Sequence, residues 1–477
     1  MSISATLSNA LSGLTAMQRS AETVSTNIAN ATTEGYGRRA VDLSSAVLGG
    51  VRIDGIRRET DEALIGDRRL ADAGVGYSAQ QTAFYQKLEE TVGIPGTAGA
   101  LGTQIAALET ALAQAASTPS SDIRLGDVLT ASQDLAGAFN RISDGIQDQR
   151  MAAETRIETE IGNLNQSLQR IADLNGQIRT QVASGRDASG LMDARQQQID
   201  QIAQLVPIQT HQRDNGQVAI FTTTGAQLVD ATAATFGFAG AGLIVPEMTL
   251  QSGALSGLTL NGQPIATQGA HAPIAGGGLQ ALLDTRDNWA VTAQAELDAV
   301  ARDLVERFQG VGTALGNPGL FTDNGAVFAT TDEVGLAARI AVNPVVDPDQ
   351  GGATWRLRDG LDAAAPGLTG NSSVLNAFAQ ALSTPRTPAS GQFSARAYSA
   401  SDLAGALVSD IGAARQSAEA DQSFATARHQ SLYTAELGTG VDTDQELQRL
   451  LLIEQSYAAN ARVIQTADEM IETLLRL

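Results

Sequence analysis

NIANATTEGYGRR, from Asn27 to Arg39, is where a long apolar pattern stops and the chain turns. Upstream of it, Ile3, Leu7, Ala10, Leu14, Met17, Ala21, Val24 and Ile28 recur in alternating steps of four and three. That spacing keeps one stripe on one side of a helix and is the spacing of a coiled-coil seam. Small Ala10 and Ala21 favour close approach of a second helix. Within the stretch, Asn27 and Asn30 carry amides that bond nearby backbone, and Gly35, beside Tyr36, is free to take a positive φ. Asn27, Asn30, Gly35, Tyr36 and Arg38 thus form a turn motif that ends the helix. It redirects the chain into an extended segment, RRAVDLSSAVLGGVRIDGIRR, bending at its glycines.

The other end of the chain mirrors the first. Leu450, Ile453, Tyr457, Asn460, Ile464, Ala467, Ile471 and Leu474 repeat the three–four spacing. Asn460 is the one polar member, and a polar residue in a seam costs stability while fixing register. The two stripes are assembly seams, and the pattern leaves open whether they pair within one chain or between molecules.

Between the ends the pattern changes twice. Helical periodicity covers 59–92, where Gly93 and Pro95 end it, then 103–116, 123–184 and 190–205. From Pro207 to Pro273 the chain is rich in Thr, Val and Gly, and DNG at Asp214–Gly216 and NG at Asn261–Gly262 are hairpin signals. Helix returns over 279–309. A loop with short strands follows through GLFTDNGAVF, ARIAVNPVVDPDQGG and ATWRLRDG, and the chain is helical again from Ser401, interrupted at Leu437–Asp442.

The fold class expected is mainly α with an inserted β domain, α+β and multidomain. Segments 1–58 and 437–477 form an inner coiled-coil domain, and 59–206, 279–320 and 371–436 a helical bundle. Segment 207–278 is a small antiparallel β-rich outer domain, and 321–370 a short loop-and-strand region.

Composition excludes several function classes. The net charge of −21 over 477 residues argues against nucleic acid as a partner, since phosphate binding needs a cationic surface. Zero cysteines remove disulfides, zinc–thiolate sites and thiol catalysis. No run is apolar enough for stable membrane insertion, and the first cation, Arg19, comes too late for the basic start of a cleaved signal peptide. His211, His271 and His429 are scattered, and DPDQGG at Asp347–Gly352 reads as a turn rather than a calcium loop. With no nucleotide or nucleophile-elbow motif and only Trp289 and Trp355 as tryptophans, no catalytic residue, metal site or cofactor is expected.

ALSGLTAMQRSAETVSTNIANATTEGYGRR resembles the N-terminal signature of the bacterial flagellar rod, hook and hook-associated axial proteins, and SYAANARVIQTADEMIETLLRL resembles that family's closing helix. The interior, in LMDARQQQIDQIAQLV and GGLQALLDTRDNWAVTAQAELDAVARDLVERFQ, is similar to the hook-associated branch. The region from Phe328 to Gly370 is shorter than the second outer domain some members carry.

The resemblance implies a structural, non-enzymatic part of the extracellular flagellum, at the hook–filament junction. It implies export through the flagellar type III apparatus without a cleaved signal. The implied partners are further copies of the chain, the hook protein, the neighbouring hook-associated junction protein and an export chaperone at the C-terminal helix. A hook or rod protein is the nearest alternative; a flagellum-associated wall hydrolase or an adhesin is the alternative of a different class.

Overall fold

The computed structural model describes residues 3–47, 49–94, 96–393 and 396–476; Pro95, expected to help end a helix, lies outside the described residues. Helix α1 (Ile3–Ala29) leads through the turn into strands β1 (Arg38–Ser45) and β2 (Val51–Glu59), an antiparallel hairpin with Arg38 opposite Glu59 and a bulge between Asp42 and Leu43. Helices α2 (Glu62–Val92), α3 (Leu101–Ser117), α4 (Asp122–Ala183) and α5 (Ser189–Leu205) follow. Asp61 caps α2 by accepting from the N–H groups of Ala63 and Leu64, both at 3.1 Å, and Gly93 ends it at φ 87°. With 62 residues, α4 is ~93 Å long and spans the body.

The β-rich segment holds two three-stranded antiparallel sheets. One is β3 (Ile208–Gln212), β4 (Val218–Thr222) and β5 (Gln227–Val229); the other is β6 (Phe236–Gly237), β7 (Thr259–Leu260) and β8 (Gln263–Pro264). Both hairpin signals sit at turns, with Asn215 at φ 54° between β3 and β4 and Asn261 at φ 53° between β7 and β8. Helix α6 (Gly278–Asp284) continues through a π-helical segment, Thr285–Trp289, into α7 (Ala290–Phe308). Strand β9 (Phe321–Asp323) pairs with β10 (Ile340–Val342), separated in sequence by the short α8 (Leu336–Arg339). The chain closes with α9 (Arg356–Asp359), α10 (Ser373–Ser383), α11 (Ala400–Thr439) and α12 (Thr443–Arg476). ATWRLRDG is therefore corrected from strand to helical turn: Leu357 and Arg358 anchor α9 in the interior, and Gly360 ends it at φ 110°.

Two apolar cores build the body. The first joins the outer half of α2, α3, the first part of α4, α7, α10 and the start of α11, with Phe84, Phe139, Phe308 and Phe378 inside. The second packs Ile157, Ile161, Leu164, Leu168 and Ile171 of α4 and the buried face of α5 against β3–β5 and α6. The α6–α7 helix crosses between them, and its π-helical segment places Arg286 fully buried between Glu154 at 2.6 Å and Asp287 at 2.7 Å. Arg150 donates to the carbonyls of Arg286 (2.9 Å) and Met248 (2.5 Å), and Glu154 accepts from the N–H of Ala241 (2.7 Å). These charges pin the irregular 239–256 segment to α4. Neither core contains a residue from 3–59 or 443–476.

Candidate functional site: the terminal helix pair and its joint

The two ends pair within the chain. Asn27 contacts Glu446, and a Cβ on Gly13 would meet the Asn460 amide at 2.9 Å. Asn27 and Gly13 are 14 residues apart, as are Glu446 and Asn460 in the reverse direction, so α1 and α12 run antiparallel in unbroken register.

The line that α1 turns inward is Ala10, Gly13, Ala16, Thr23, Val24 and Asn27. Of the sequence-predicted stripe, Ala10 and Val24 are buried, Ile3, Leu14, Met17, Ala21 and Ile28 are half-buried, and Leu7 is exposed. The contact line is thus displaced by about one residue towards the small side chains, because small residues let two helix backbones approach closely. On α12, Ala467 is buried, Leu450, Ile453, Asn460, Ile464 and Ile471 are half-buried, and Tyr457 and Leu474 face outward. Asn460 lies over Gly13 and donates to the carbonyl of Ser456 at 3.1 Å.

Outward, the pair carries Leu11, Leu447, Leu451, Leu452, Val463, Met470 and Leu475, with Leu451 59% and Leu475 81% exposed. Single exposed leucines are ordinary, but a run of them along one helix marks a contact surface.

The turn motif converges on a buried polar joint. Asn27, fully buried, uses its whole amide. Its Nδ2 donates to the Arg39 carbonyl (2.9 Å) and to Glu446 Oε2 (3.0 Å); its Oδ1 accepts from the Tyr36 hydroxyl (2.8 Å) and the Arg39 N–H (3.0 Å). Burial pushes the Tyr36 hydroxyl above its ordinary pKa, so it stays a donor. Glu446, also fully buried, accepts from Arg38 Nε at 2.8 Å, and Arg38 pairs in addition with Glu59. Asn30 caps the helix end by donating to the Thr26 carbonyl at 2.9 Å, and Gly35 takes φ 77° against Gln197 of α5. All five turn residues are therefore in place around the end of α1, and Arg38 ties them to α12.

Sequence reasoning missed Glu446. The signal was present: stepping back four residues from Leu450 along the C-terminal seam lands on it, a carboxylate at a seam position. It also missed Asp193, whose Oδ2 accepts from Arg39 (2.7 Å) and whose Oδ1 accepts from Arg58 (2.8 Å) and the Gly37 N–H (3.1 Å). No local pattern marks that residue.

Beyond the joint, Arg68 of α2 pairs with Asp72, Asp200 and Glu436, fastening α5 and α11 to α2. His429 approaches Asp72 at 2.9 Å. Burial raises the pKa of Asp72 and of Glu436, with Arg68 opposing it in both. In DPDQGG, the Asp347 oxygens accept from Gln133, Gln350 and the Asp349 N–H, which makes it a turn anchor. No group of three or more possible metal ligands occurs among the described residues.

With this geometry in hand, three family models match the chain. Residues 85–316 match the flagellar hook-associated protein FlgK helical domain, residues 7–36 the flagella basal body rod protein, and residues 437–477 the C-terminal part of the flagellar basal body rod FlgEFG proteins. Flagellar hook-associated protein 1 of Escherichia coli (strain K12) is 25% identical over 571 aligned positions, covering 100% of both chains. Over its whole length the chain is similar to this member of the flagellar hook-associated protein 1 family. The member from Salmonella typhimurium is 25% identical over 54% of this chain and 51% of its own length, and that of Bacillus subtilis 23% identical over 47% of each. A solved structure, that of the flagellar hook junction protein FlgK from Burkholderia pseudomallei, aligns with TM-score 0.45 and 20% identity over 55% of this chain and 47% of its own. Both rod-type matches fall on the terminal helix pair, and the helical-domain match falls on the body.

Proposed function

We propose that this chain is a structural adaptor of the bacterial flagellum, assembling at the hook tip and giving the filament its attachment point. The observation that carries the reading is the terminal pair: two helices joined in fixed register, sharing a polar joint, with a leucine-rich outer face that no described residue covers. Burying a large aliphatic side chain yields ~1.5–3 kcal/mol, so the outer face gains most when several copies close around an axis. The body, which has its own cores, then faces outward.

Further copies, the hook protein and the adjoining hook-associated protein are the neighbours this arrangement needs. The same α12 face suits an export chaperone that takes an amphipathic helix into a groove. Truncation of residues 437–477 should abolish chaperone binding, and retained binding would place the chaperone elsewhere. An assembled position outside the cell completes the reading. The chemistry of the joint is that of positioning, and every strong charge pair in it serves structure rather than a reaction.

The test is deletion of the gene, followed by electron microscopy of the cells and assay of the medium for flagellin. Finished hooks without filaments, with flagellin lost to the medium, are expected. Missing hooks would move the protein down the axis to hook or rod; intact filaments would overturn the reading. Replacing Leu447, Leu451 and Leu452 together with Ser should reproduce the deletion phenotype while the exported chain keeps its helical content.

A further inference from the structure

No described residue of the terminal unit (residues 3–59 and 443–476) belongs to either apolar core of the body. Two short links join them covalently, at 60–61 and 440–442. Across the gap, the polar contacts gather on the first turns of α5. Asp193 takes three of them, from Arg39, Arg58 and the Gly37 N–H, and Gln197 donates to the Glu34 carbonyl at 2.9 Å. Arg58 reaches Glu62 only at 4.0 Å. Beside this clamp an open crevice separates the turn at Thr33 and Tyr36 from Tyr433 and Leu437 of α11, and both covalent links border it.

We propose that Asp193 is an electrostatic latch that sets the angle of the terminal unit on the body, and that releasing it lets the unit tilt about the two links into the crevice. An apolar joint of this size would hold one geometry at any ionic strength. One carboxylate clamping two arginines holds its geometry only while the charges attract, and the side chains involved are 10–17% exposed, within reach of solvent ions. A junction subunit with a charge-set joint can present its terminal pair at one angle to one neighbour and at another to the next. The latch itself is a property of the free chain and stands or falls apart from the assembly reading.

The absence of cysteine makes the test direct. Glu454→Cys on α12 and Gln177→Cys on α4, both exposed positions, carry spin labels in the full-length chain, and pulsed EPR reads the distance between unit and body. The latched chain at low salt should show one narrow distance distribution. Asp193→Ala should at least double its width or add a second peak, Asp193→Glu should keep a single peak, and ~1 M salt should broaden the otherwise native chain. The melting curve of the body should stay where it was. An unchanged width in Asp193→Ala, or a low-salt distribution already as broad as the variant's, overturns the latch. If the variant does not fold, the salt series decides alone: a width constant from low salt to ~1 M also overturns it.

Discussion

The body and the terminal unit are both helical, yet they are held together by opposite means. In the body, Phe84, Phe139, Phe308 and Phe378 are buried among aliphatic side chains, and interior charges are held by ion pairs, as in Arg286–Glu154 and Arg307–Asp303, or by backbone hydrogen bonds, as at Arg150 and Asp298. In the terminal unit, the described apolar residues that are fully buried are Ala10, Ala16, Val24 and Ala467, while leucines lie outside. A body with two cores is self-sufficient. A helix pair that buries alanine and exposes leucine is, on the proposed reading, a half-finished interface, held in shape by Asn27, Glu446 and Arg38.

The largest expected effect lies in the body. Phe139→Ala empties the first core and should cost about 3–5 kcal/mol, read as a lowered unfolding midpoint in denaturant. Protection of α1 amides against exchange should change little. Joint loss of both would show that body and terminal unit unfold together, and the contrast would fail.

Next comes Asp298, a body carboxylate raised to about 6 by burial and held by the N–H groups of Gly335 and Ala337, each at 2.8 Å. Its folded pKa lies above the unfolded value of ~3.9, so the fold binds this proton more tightly than the unfolded chain does. Its contribution to stability therefore grows as pH falls through ~6 towards ~4, by at most about 3 kcal/mol. The measurable consequence is that the native chain gains over Asp298→Asn as the pH is lowered from 7 to 5. A difference constant across that range would contradict it. The terminal unit should not respond over the same range.

Glu446→Ala strikes the joint. It leaves Asn27 Nδ2 and one side of Arg38 without their buried acceptor, a loss of on the order of 2–3 kcal/mol. Because the apolar cores end short of the joint, the loss should appear as faster amide exchange in α1 and the first turn of α12, with the body's melting midpoint unmoved. A shifted midpoint would mean that the joint stabilises the whole molecule.

What the sequence disclosed and withheld follows the same divide. Helix limits were legible because their signals are local: Gly93, the break near Gly440, and the Asn–Gly turns that close β3–β4 and β7–β8. The existence of the two terminal seams was legible from spacing. The face that α1 turns inward was not, because periodicity ranks residues by size and polarity, whereas the contact selects the line with room for a neighbour, through Gly13 and Ala16. α9 was misread because four residues are too few to tell period two from 3.6. The Asp193 clamp was out of reach, since it joins residues 135 to 156 positions apart and nothing in their flanking sequence differs from an ordinary charged surface.

The smallest effect tests register. Gly13→Ala puts a methyl where Asn460 now lies, at 2.9 Å from Nδ2, and the helix backbones must part or the amide must move. Alanine favours the helix by up to about 1 kcal/mol over glycine, so propensity alone predicts a stabilised α1. Overpacking predicts the reverse, at about 1–3 kcal/mol. The clash should win, because Asn460 sits between two helices held at fixed spacing by the Asn27–Glu446 contact 14 residues away. Exchange in α1 should therefore quicken in Gly13→Ala and slow again in Gly13→Ala with Asn460→Ala, where the new methyl occupies the space the amide leaves. If the single variant is protected better than the native chain, the Asn460 amide swings aside at little cost, and it does not set the register of the terminal pair.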